Sequence, residues 1–197
     1  MAAALISIIG PPASGKTTMA HWLAEALPGR LILEDYAGNP FLPGSYHGRQ
    51  ELALPAQLYF LFSRVSQLNR EAWPGQGAAV SDYGFCQDAV YAEVKLRGED
   101  MATYRRLAES AAAAVKPPDL LVHLDMDEKA LLERIARRGR EYEKAITLDF
   151  LAGMRQAYRG VVSSAPCRVL PVDAGKTDLL AEDARAGLLR EIREALA

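Results

Sequence analysis

The sequence has few of the residues that characterise disulfide-bonded and metal-binding proteins. Its two cysteines, Cys86 and Cys167, are far apart, and its three histidines (His21, His47 and His123) are isolated from one another and from any cysteine pair. These spacings argue against a disulfide framework and against a zinc site. Both thiols are therefore expected to be buried in a protein of the reducing cytoplasm.

Long apolar runs and a large excess of charge are also absent. No apolar run approaches the length of a membrane span, and the first residues lack the positive charge of a signal peptide. The net charge of −2 gives no support for sequence-independent binding of nucleic acid. We therefore expect neither a membrane nor a nucleic acid among the partners. Because 50% of the 197 residues are hydrophobic, we expect a single domain over residues 1–197 with an ample core.

The strongest motif follows an apolar run at residues 5–9. Residues 10–17 read GPPASGKT, the G-x-x-x-x-G-K-T pattern of a phosphate-binding loop between a strand and a helix. Gly10 and Gly15 allow the backbone to turn its N–H groups towards phosphate oxygens, and the following helix adds its positive dipole end. Lys16 is expected between the β- and γ-phosphates, and the Thr17 hydroxyl on Mg²⁺. The residues predicted to bind ATP are Gly10, Pro11, Pro12, Ala13, Ser14, Gly15, Lys16, Thr17 and Thr18.

Strand and helix patterns alternate along the chain. This alternation predicts an α/β fold of the P-loop NTPase type, with a five-stranded parallel sheet flanked by helices. The predicted strands span residues 5–9, 31–34, 78–82, 120–124 and 168–172. The predicted helices span residues 16–27, 52–71, 85–96, 103–115, 128–138, 148–162 and 177–196. Ligands of such sheets bind at the carboxyl ends of the strands, so the residues there are the candidates for chemistry.

Acidic residues end three of the predicted strands. Glu34 ends the second strand, where a carboxylate could accept a proton from an acceptor hydroxyl, or could be an ordinary solvated acid. Asp82 ends the third strand and is the candidate that orients Mg²⁺ or its waters. Asp125 and Asp127 could compete for that role, but Asp127 is more simply explained as the acidic start of the following helix.

The second predicted helix carries two polar residues on one face. Gln57 and Arg64 are seven residues apart, close to two helical turns, and their neighbours are largely apolar. If buried, they need polar partners, which a flat heterocycle with donors and acceptors would supply. A solvent-facing stripe is an equal alternative. Phe60 or Phe85 could stack on such a heterocycle.

Four arginines lie within seven positions at the end of the fifth predicted helix, and Arg134 and Arg138 among them share one face. A solvated basic helix end is one interpretation. In a chain that binds a triphosphate, we favour an arginine-rich lid at about residues 134–145. Its guanidinium groups, from Arg134, Arg138 and Arg140, would neutralise charge on the transferring phosphoryl group.

These spaced residues together resemble the deoxynucleoside kinase family, from the phosphate-binding loop to about residue 151. Residues 34–41 read EDYAGNPF and look like the E-x-x-x-x-N-P-F form of bacterial members, and residues 134–140 match the R-x-x-x-R-x-R lid. By this resemblance Glu34 is the general base. Where many members have Glu-Arg-Ser at the end of the third strand, this chain has Asp82-Tyr83-Gly84, so the arginine is missing.

The resemblance also implies the substrate contacts. Tyr46, Gln57 and Arg64 have the family spacing of the residues that contact the sugar 3′-hydroxyl and the base. Asp88 resembles the acid that pairs with that arginine, and Glu143 the glutamate that shares the 3′-hydroxyl with the tyrosine. Members of the family are usually homodimers, which we expect here.

The expected reaction is transfer of the γ-phosphoryl group of Mg·ATP to the 5′-hydroxyl of a deoxynucleoside in nucleotide salvage. Purine deoxynucleosides are favoured, and deoxycytidine remains an alternative. A nucleoside monophosphate kinase on the same fold is the main alternative function, although it would need cations around the acceptor phosphate. A nucleotide-dependent switch is the second, and the Asn-Lys-x-Asp guanine motif of GTPases is absent.

Overall fold

The computed structural model describes residues 3–196 and is built on one five-stranded parallel sheet. The strands are β1 (Ala4–Ile9), β2 (Arg30–Ile32), β3 (Ala78–Ser81), β4 (Leu120–Asp125) and β5 (Arg168–Asp173). The helices are α1 (Lys16–Ala26), α2 (Leu42–Tyr46), α3 (Ala53–Gln67), α4 (Gln87–Lys95), α5 (Gly98–Ala112), α6 (Glu128–Arg138), α7 (Leu148–Ser163) and α8 (Glu182–Leu196). Short 3-10 helices lie at Gln50–Leu52 and Glu141–Ala145. The predicted α/β fold is confirmed.

The strand order β2-β3-β1-β4-β5 places β1 at the centre of the sheet. β1 pairs in parallel with β3 on one side, where Ser7 lies opposite Ser81, and with β4 on the other. The chain therefore leaves β1 towards one edge of the sheet and later builds the opposite edge. The loop after β1 lies at this reversal, which is where open α/β sheets bind their ligands.

The apolar run of β1 is buried on both faces, as expected for a central parallel strand. Ile6 and Ile8 belong to a core beneath α1, α6 and α8, whereas Leu5 and Ile9 pack in clusters on the opposite face. This alternation follows from the two-residue period of a strand. Two layers of helices thus hold the carboxyl end of β1 rigidly in place.

Several boundaries differ from the predictions. β2 ends at Ile32, so Glu34 lies in the loop beyond the strand. The helix predicted at residues 52–71 ends at Gln67, because the Asn69 side chain accepts hydrogen bonds from the next backbone N–H groups and begins a turn. The helix predicted from residue 177 begins at Glu182. The predicted start of α6 is confirmed: Asp127 caps it by accepting from the N–H groups of Lys129 and Ala130.

Both cysteines are free thiols and half-buried, and burial raises the pKa of Cys86 to about 11. Within residues 3–196, none of the helices has the length and apolar character needed to cross a membrane.

Candidate active site

The phosphate-binding loop forms a concave anion cradle. Gly10, Ala13 and Gly15 have positive φ values of 151°, 62° and 105°, so the loop alternates between left-handed and right-handed backbone. Such alternation turns successive N–H groups to one side. A side chain at position 10 would also collide with the backbone carbonyl of Leu124, 2.4 Å from an added Cβ, which explains the glycine there. The loop ends where α1 begins, at Lys16.

Lys16 is the cation of this cradle. Its ammonium donates to the carbonyl oxygens of Gly10 and Pro11, at 2.8 and 2.9 Å. Burial lowers the pKa of Lys16 to about 8, although Glu34 and Asp82 act in the opposite direction. The ammonium is thus held at the mouth of the loop, where a phosphate oxygen could replace the carbonyls.

The Thr17 and Asp82 side chains are in contact, as the predicted magnesium site requires. The Thr17 hydroxyl donates to one Asp82 carboxylate oxygen at 2.6 Å, and the Glu34 backbone N–H donates to the other at 2.8 Å. Burial raises the pKa of Asp82, while these two hydrogen bonds lower it. Asp82 therefore joins the phosphate loop to the loop that carries Glu34.

Arg64 bonds both to Glu34, the candidate proton acceptor, and to Asp88, a candidate for recognition of the nucleobase. One guanidinium nitrogen donates to Asp88 at 2.5 Å and another to the Glu34 carboxylate. The Arg64 side chain is 4% exposed, and its guanidinium carbon lies 5.4 and 5.3 Å from the ring centroids of Phe60 and Tyr83. The solvent-facing alternative for this helix face is therefore wrong, because Gln57 and Arg64 are both buried.

Arg64 and Asp88, which are both buried, shift each other's pKa. Burial alone would lower the pKa of Arg64, but the charges of Asp88 and Glu34 outweigh it and the net shift is upward. Burial raises the pKa of Asp88 to about 6 against the opposing effect of Arg64. The guanidinium thus remains charged and rigid between two carboxylates.

Gln57 has an unsatisfied acceptor. It lines the same slot as Glu34 and Arg64, and its side-chain oxygen is buried without a hydrogen-bond partner in the described residues. A buried amide oxygen without a donor is costly in a folded protein. This oxygen is available to a ligand that carries an N–H group.

The opposite wall of the slot carries Tyr46 and Glu143. Burial and the Glu143 charge raise the pKa of Tyr46, so its hydroxyl remains a donor. Glu143 is bound by Arg138 at 2.7 Å and more loosely by Arg140 at 3.4 Å. The arginine-rich segment therefore lies over the slot and is tied to it through Glu143.

The slot contains residues that the sequence analysis did not identify. Tyr36, Tyr91, Lys95 and Tyr142 all line it, together with Leu42. Lys95 could have been identified from the sequence, because it lies seven residues after Asp88 and therefore on the same face of α4. The tyrosines come from separate segments, and no spacing in the sequence relates them.

Three predicted residues occupy other places. Phe85 does not line the slot. It lines an apolar groove of about 310 Å³ beside α4 and α7 and packs in a cluster with Leu5 and Tyr83, so the structure does not bring it to the slot for the predicted stacking. Arg134 also lies away from the slot, and its guanidinium donates to the carbonyl oxygen of Ala174 at 3.4 Å. Asp88 lies behind Arg64 and acts on the slot only through it.

Known proteins resemble this chain over nearly its whole length. A family model described as deoxynucleoside kinase matches residues 6–197. Deoxyadenosine kinase of Dictyostelium discoideum is 31% identical over 172 residues, covering 85% of this chain and 69% of that protein. Deoxyguanosine kinase of Bacillus subtilis (strain 168) is 26% identical over 187 residues, covering 90% of each.

A solved structure of deoxyadenosine kinase from M. mycoides, with dCMP and dCDP bound, shares the fold. Its TM-score to this chain is 0.83 at 19% sequence identity, and the match covers 96% of this chain and 98% of that one. The family model, the curated relatives and the fold agree with a chain that phosphorylates deoxynucleosides. We conclude that the protein belongs to the deoxynucleoside kinase family.

Proposed function

We propose that the protein transfers the γ-phosphoryl group of ATP to the 5′-hydroxyl of a purine deoxynucleoside, with Glu34 as the proton acceptor. One observation carries this proposal: Glu34 lines the same slot as Lys16 and Thr17, with its backbone bonded to Asp82 and its carboxylate bonded to Arg64. A carboxylate held opposite an anion cradle suits a hydroxyl placed between the two.

The step conserves atoms and charge. The 5′-oxygen forms a bond to the γ-phosphorus while the bond from that phosphorus to the ADP oxygen breaks, and the hydroxyl proton moves to Glu34. Lys16 and the arginines Arg138 and Arg140 stabilise the charge of the transferring group, and Arg64 orients the Glu34 carboxylate. Positioning and electrostatics supply most of the catalysis in such chemistry.

Base recognition uses the unsatisfied amide of Gln57. Its buried oxygen would accept from the exocyclic amino group of adenine, or from the amino or imino group of guanine. Arg64, held in place by Asp88, would face the polar edge of the same ring, and Phe60 or Tyr91 would pack on its face. Thymine has no amino group and fits this arrangement least well. The relatives named deoxyadenosine kinase and deoxyguanosine kinase support the purine choice.

Mg²⁺ would be held by Thr17 and Asp82. Both present oxygen atoms, which this cation prefers, and these oxygens lie 2.6 Å apart. Residues 3–196 contain no cluster of three or more acidic, cysteine or histidine side chains suited to a metal, so phosphate oxygens and water would complete the shell. The cation would neutralise charge on the β- and γ-phosphates.

The donor base would lie on the far side of the phosphate loop. Arg134 contacts Ala174 in the loop that follows β5, away from the slot, and this loop would contact the adenine of ATP. We therefore assign Arg134 to the ATP base and Arg138 and Arg140 to the phosphates. We also expect a homodimer, as the family resemblance implies, and sedimentation equilibrium would measure its mass.

A substrate panel tests the proposal. The four deoxynucleosides and their 5′-monophosphates are incubated with γ-labelled ATP, and kcat/KM is compared. We expect deoxyadenosine or deoxyguanosine to lead, thymidine to be poorest, and the monophosphates to be inert. Turnover of a monophosphate without turnover of any deoxynucleoside would overturn the acceptor assignment. Tyr83, at the position where the alternative enzyme would need a cation, is fully buried and donates its hydroxyl to Gln67.

A further inference from the structure

Lys95 is a half-buried cation in the slot whose role the proposed reaction does not explain. It ends α4, and its ammonium lies 3.4 Å from the centroid of the Tyr46 ring. The same ammonium is 3.4 Å from the hydroxyl oxygen of Ser45. The first contact places the charge over the ring face, which is the geometry of a cation–π interaction.

Lys95 differs from the arginines of the slot because no described carboxylate lies within 4.0 Å of it, and from Lys16 because no nearby carboxylate raises its pKa. Arg64 binds Glu34 and Asp88, and Arg138 binds Glu143. Burial lowers the pKa of Lys95 to about 7, with no charged neighbour offsetting it. An ammonium buried without an acid is unfavourable unless another contact retains it, and the Tyr46 ring is that contact.

Lys95 and Tyr46 together separate the slot from a second cavity of about 230 Å³, since both residues line both spaces. The remaining residues around the second cavity have no ionisable side chain: Ser45, Gly48, Gln50, Ala53, Val94, Ala145, Ile146 and Phe150. On the slot side, the charged and titratable groups that act on Tyr46 are Glu143, Tyr142, Glu34, Arg138 and Tyr91. The Tyr46 ring also packs against Tyr142 at 5.6 Å and edge-on to Phe150 at 6.2 Å between ring centroids, and the second cavity lies beside it.

We propose that Lys95 is a positioning residue, whose ammonium holds the Tyr46 ring at the slot wall so that the phenol hydroxyl meets the 3′-hydroxyl of the acceptor sugar. This inference rests on the proposed function, because it requires a deoxynucleoside in the slot. A partly desolvated cation–π contact is worth enough to change affinity by about 2- to 30-fold. Only the charged form of Lys95 is attracted to the ring, so its effect falls as pH rises above neutral.

The experiment compares deoxyadenosine with 2′,3′-dideoxyadenosine, which lacks the 3′-hydroxyl. Lys95→Met is expected to raise KM for deoxyadenosine by about 3- to 30-fold, with kcat, KM for ATP and KM for the dideoxy compound unchanged. Lys95→Arg retains a cation and should restore the wild-type preference for the 3′-hydroxyl. In the wild type this preference should decline between mildly acidic and mildly alkaline buffer, and in Lys95→Met it should not change.

Three results would overturn the inference: an unchanged preference for the 3′-hydroxyl in Lys95→Met, an equal loss for both compounds, or a wild-type preference independent of pH. The last measurement needs no variant and therefore holds even if Lys95→Met fails to fold. A wild type that turns over neither compound, nor any deoxynucleoside, would refute the proposed function and this inference with it. Turnover by the wild type with an unaffected Lys95→Met would refute this inference alone.

Discussion

Two arginine–carboxylate groups face each other across the slot, and they differ in burial. Arg64 is 4% exposed and bonded to Glu34 and Asp88, whereas Arg138 is 31% exposed and bonded to Glu143. A buried pair cannot lose a partner without leaving an uncompensated charge. Arg138 reaches solvent, and the buried Glu143 keeps a second contact with Arg140 at 3.4 Å, so this group can exchange partners at a lower cost. The Arg64 group is thus a fixed part of the folded structure, whereas Arg138 can leave Glu143 and bind a phosphate.

Removal of Arg138 should give a large effect, mainly on activity. Arg138→Ala is expected to lower kcat by about 10³-fold, because arginines on a transferring phosphoryl group are worth at least that much. Thermal unfolding should change less than in Arg64→Ala, because the Arg138 side chain is 31% exposed and Arg140 still contacts Glu143. Arg137→Ala is the matched control, because Arg137 is the adjacent exposed arginine of α6 and does not line the slot. Equal losses in both variants would contradict a specific role for Arg138.

Removal of the buried arginine should affect stability as well as base selection. Arg64→Ala leaves Asp88 buried and unpaired, so urea denaturation should show a loss of about 3–5 kcal/mol. Arg49→Ala, which breaks the exposed pair with Glu51, should change stability far less, because water solvates both side chains. The folded fraction of Arg64→Ala should also discriminate less between the four deoxynucleosides. A stability close to wild type would show that the two arginine groups do not differ as described.

The phosphate loop adds a smaller, pH-dependent effect. Because the pKa of Lys16 is lowered to about 8, the free protein loses this charge above that pH and must take up a proton to bind ATP. The ATP dissociation constant should therefore rise about tenfold per pH unit above about pH 8. Phosphate ionisation is complete in this range and does not contribute. In Lys16→Met, binding should be weak at every pH. A wild-type affinity independent of pH would contradict the shift.

The sequence predicted the phosphate end of the site better than the acceptor end. Residues 10–17 are contiguous, so the motif itself specifies the loop, and Gln57 and Arg64 lie on one helix whose period relates them. Tyr36, Tyr91 and Lys95 meet only because separate segments pack together, which no local spacing reveals. Phe85 was misplaced for the same reason: tertiary packing after β3 puts it in the apolar groove and not in the slot.

The missing arginine after the third-strand acid illustrates this limit. The sequence shows only that Tyr83 stands there. The structure shows that Tyr83 packs against Arg64, which reaches Glu34 from a different helix. The Glu34 carboxylate thus has an arginine partner on α3 although no arginine follows Asp82.

The most direct test of the account is Glu34→Gln, because the proposed reaction gives the hydroxyl proton to this carboxylate. We predict a fall in kcat of about 10²- to 10⁴-fold, with little change in the dissociation constant of the deoxynucleoside. Asp35→Asn is the matched control, since the neighbouring carboxylate does not line the slot and should retain most of the activity. A Glu34→Gln variant with near-normal kcat would show that the proton goes elsewhere and would contradict the account.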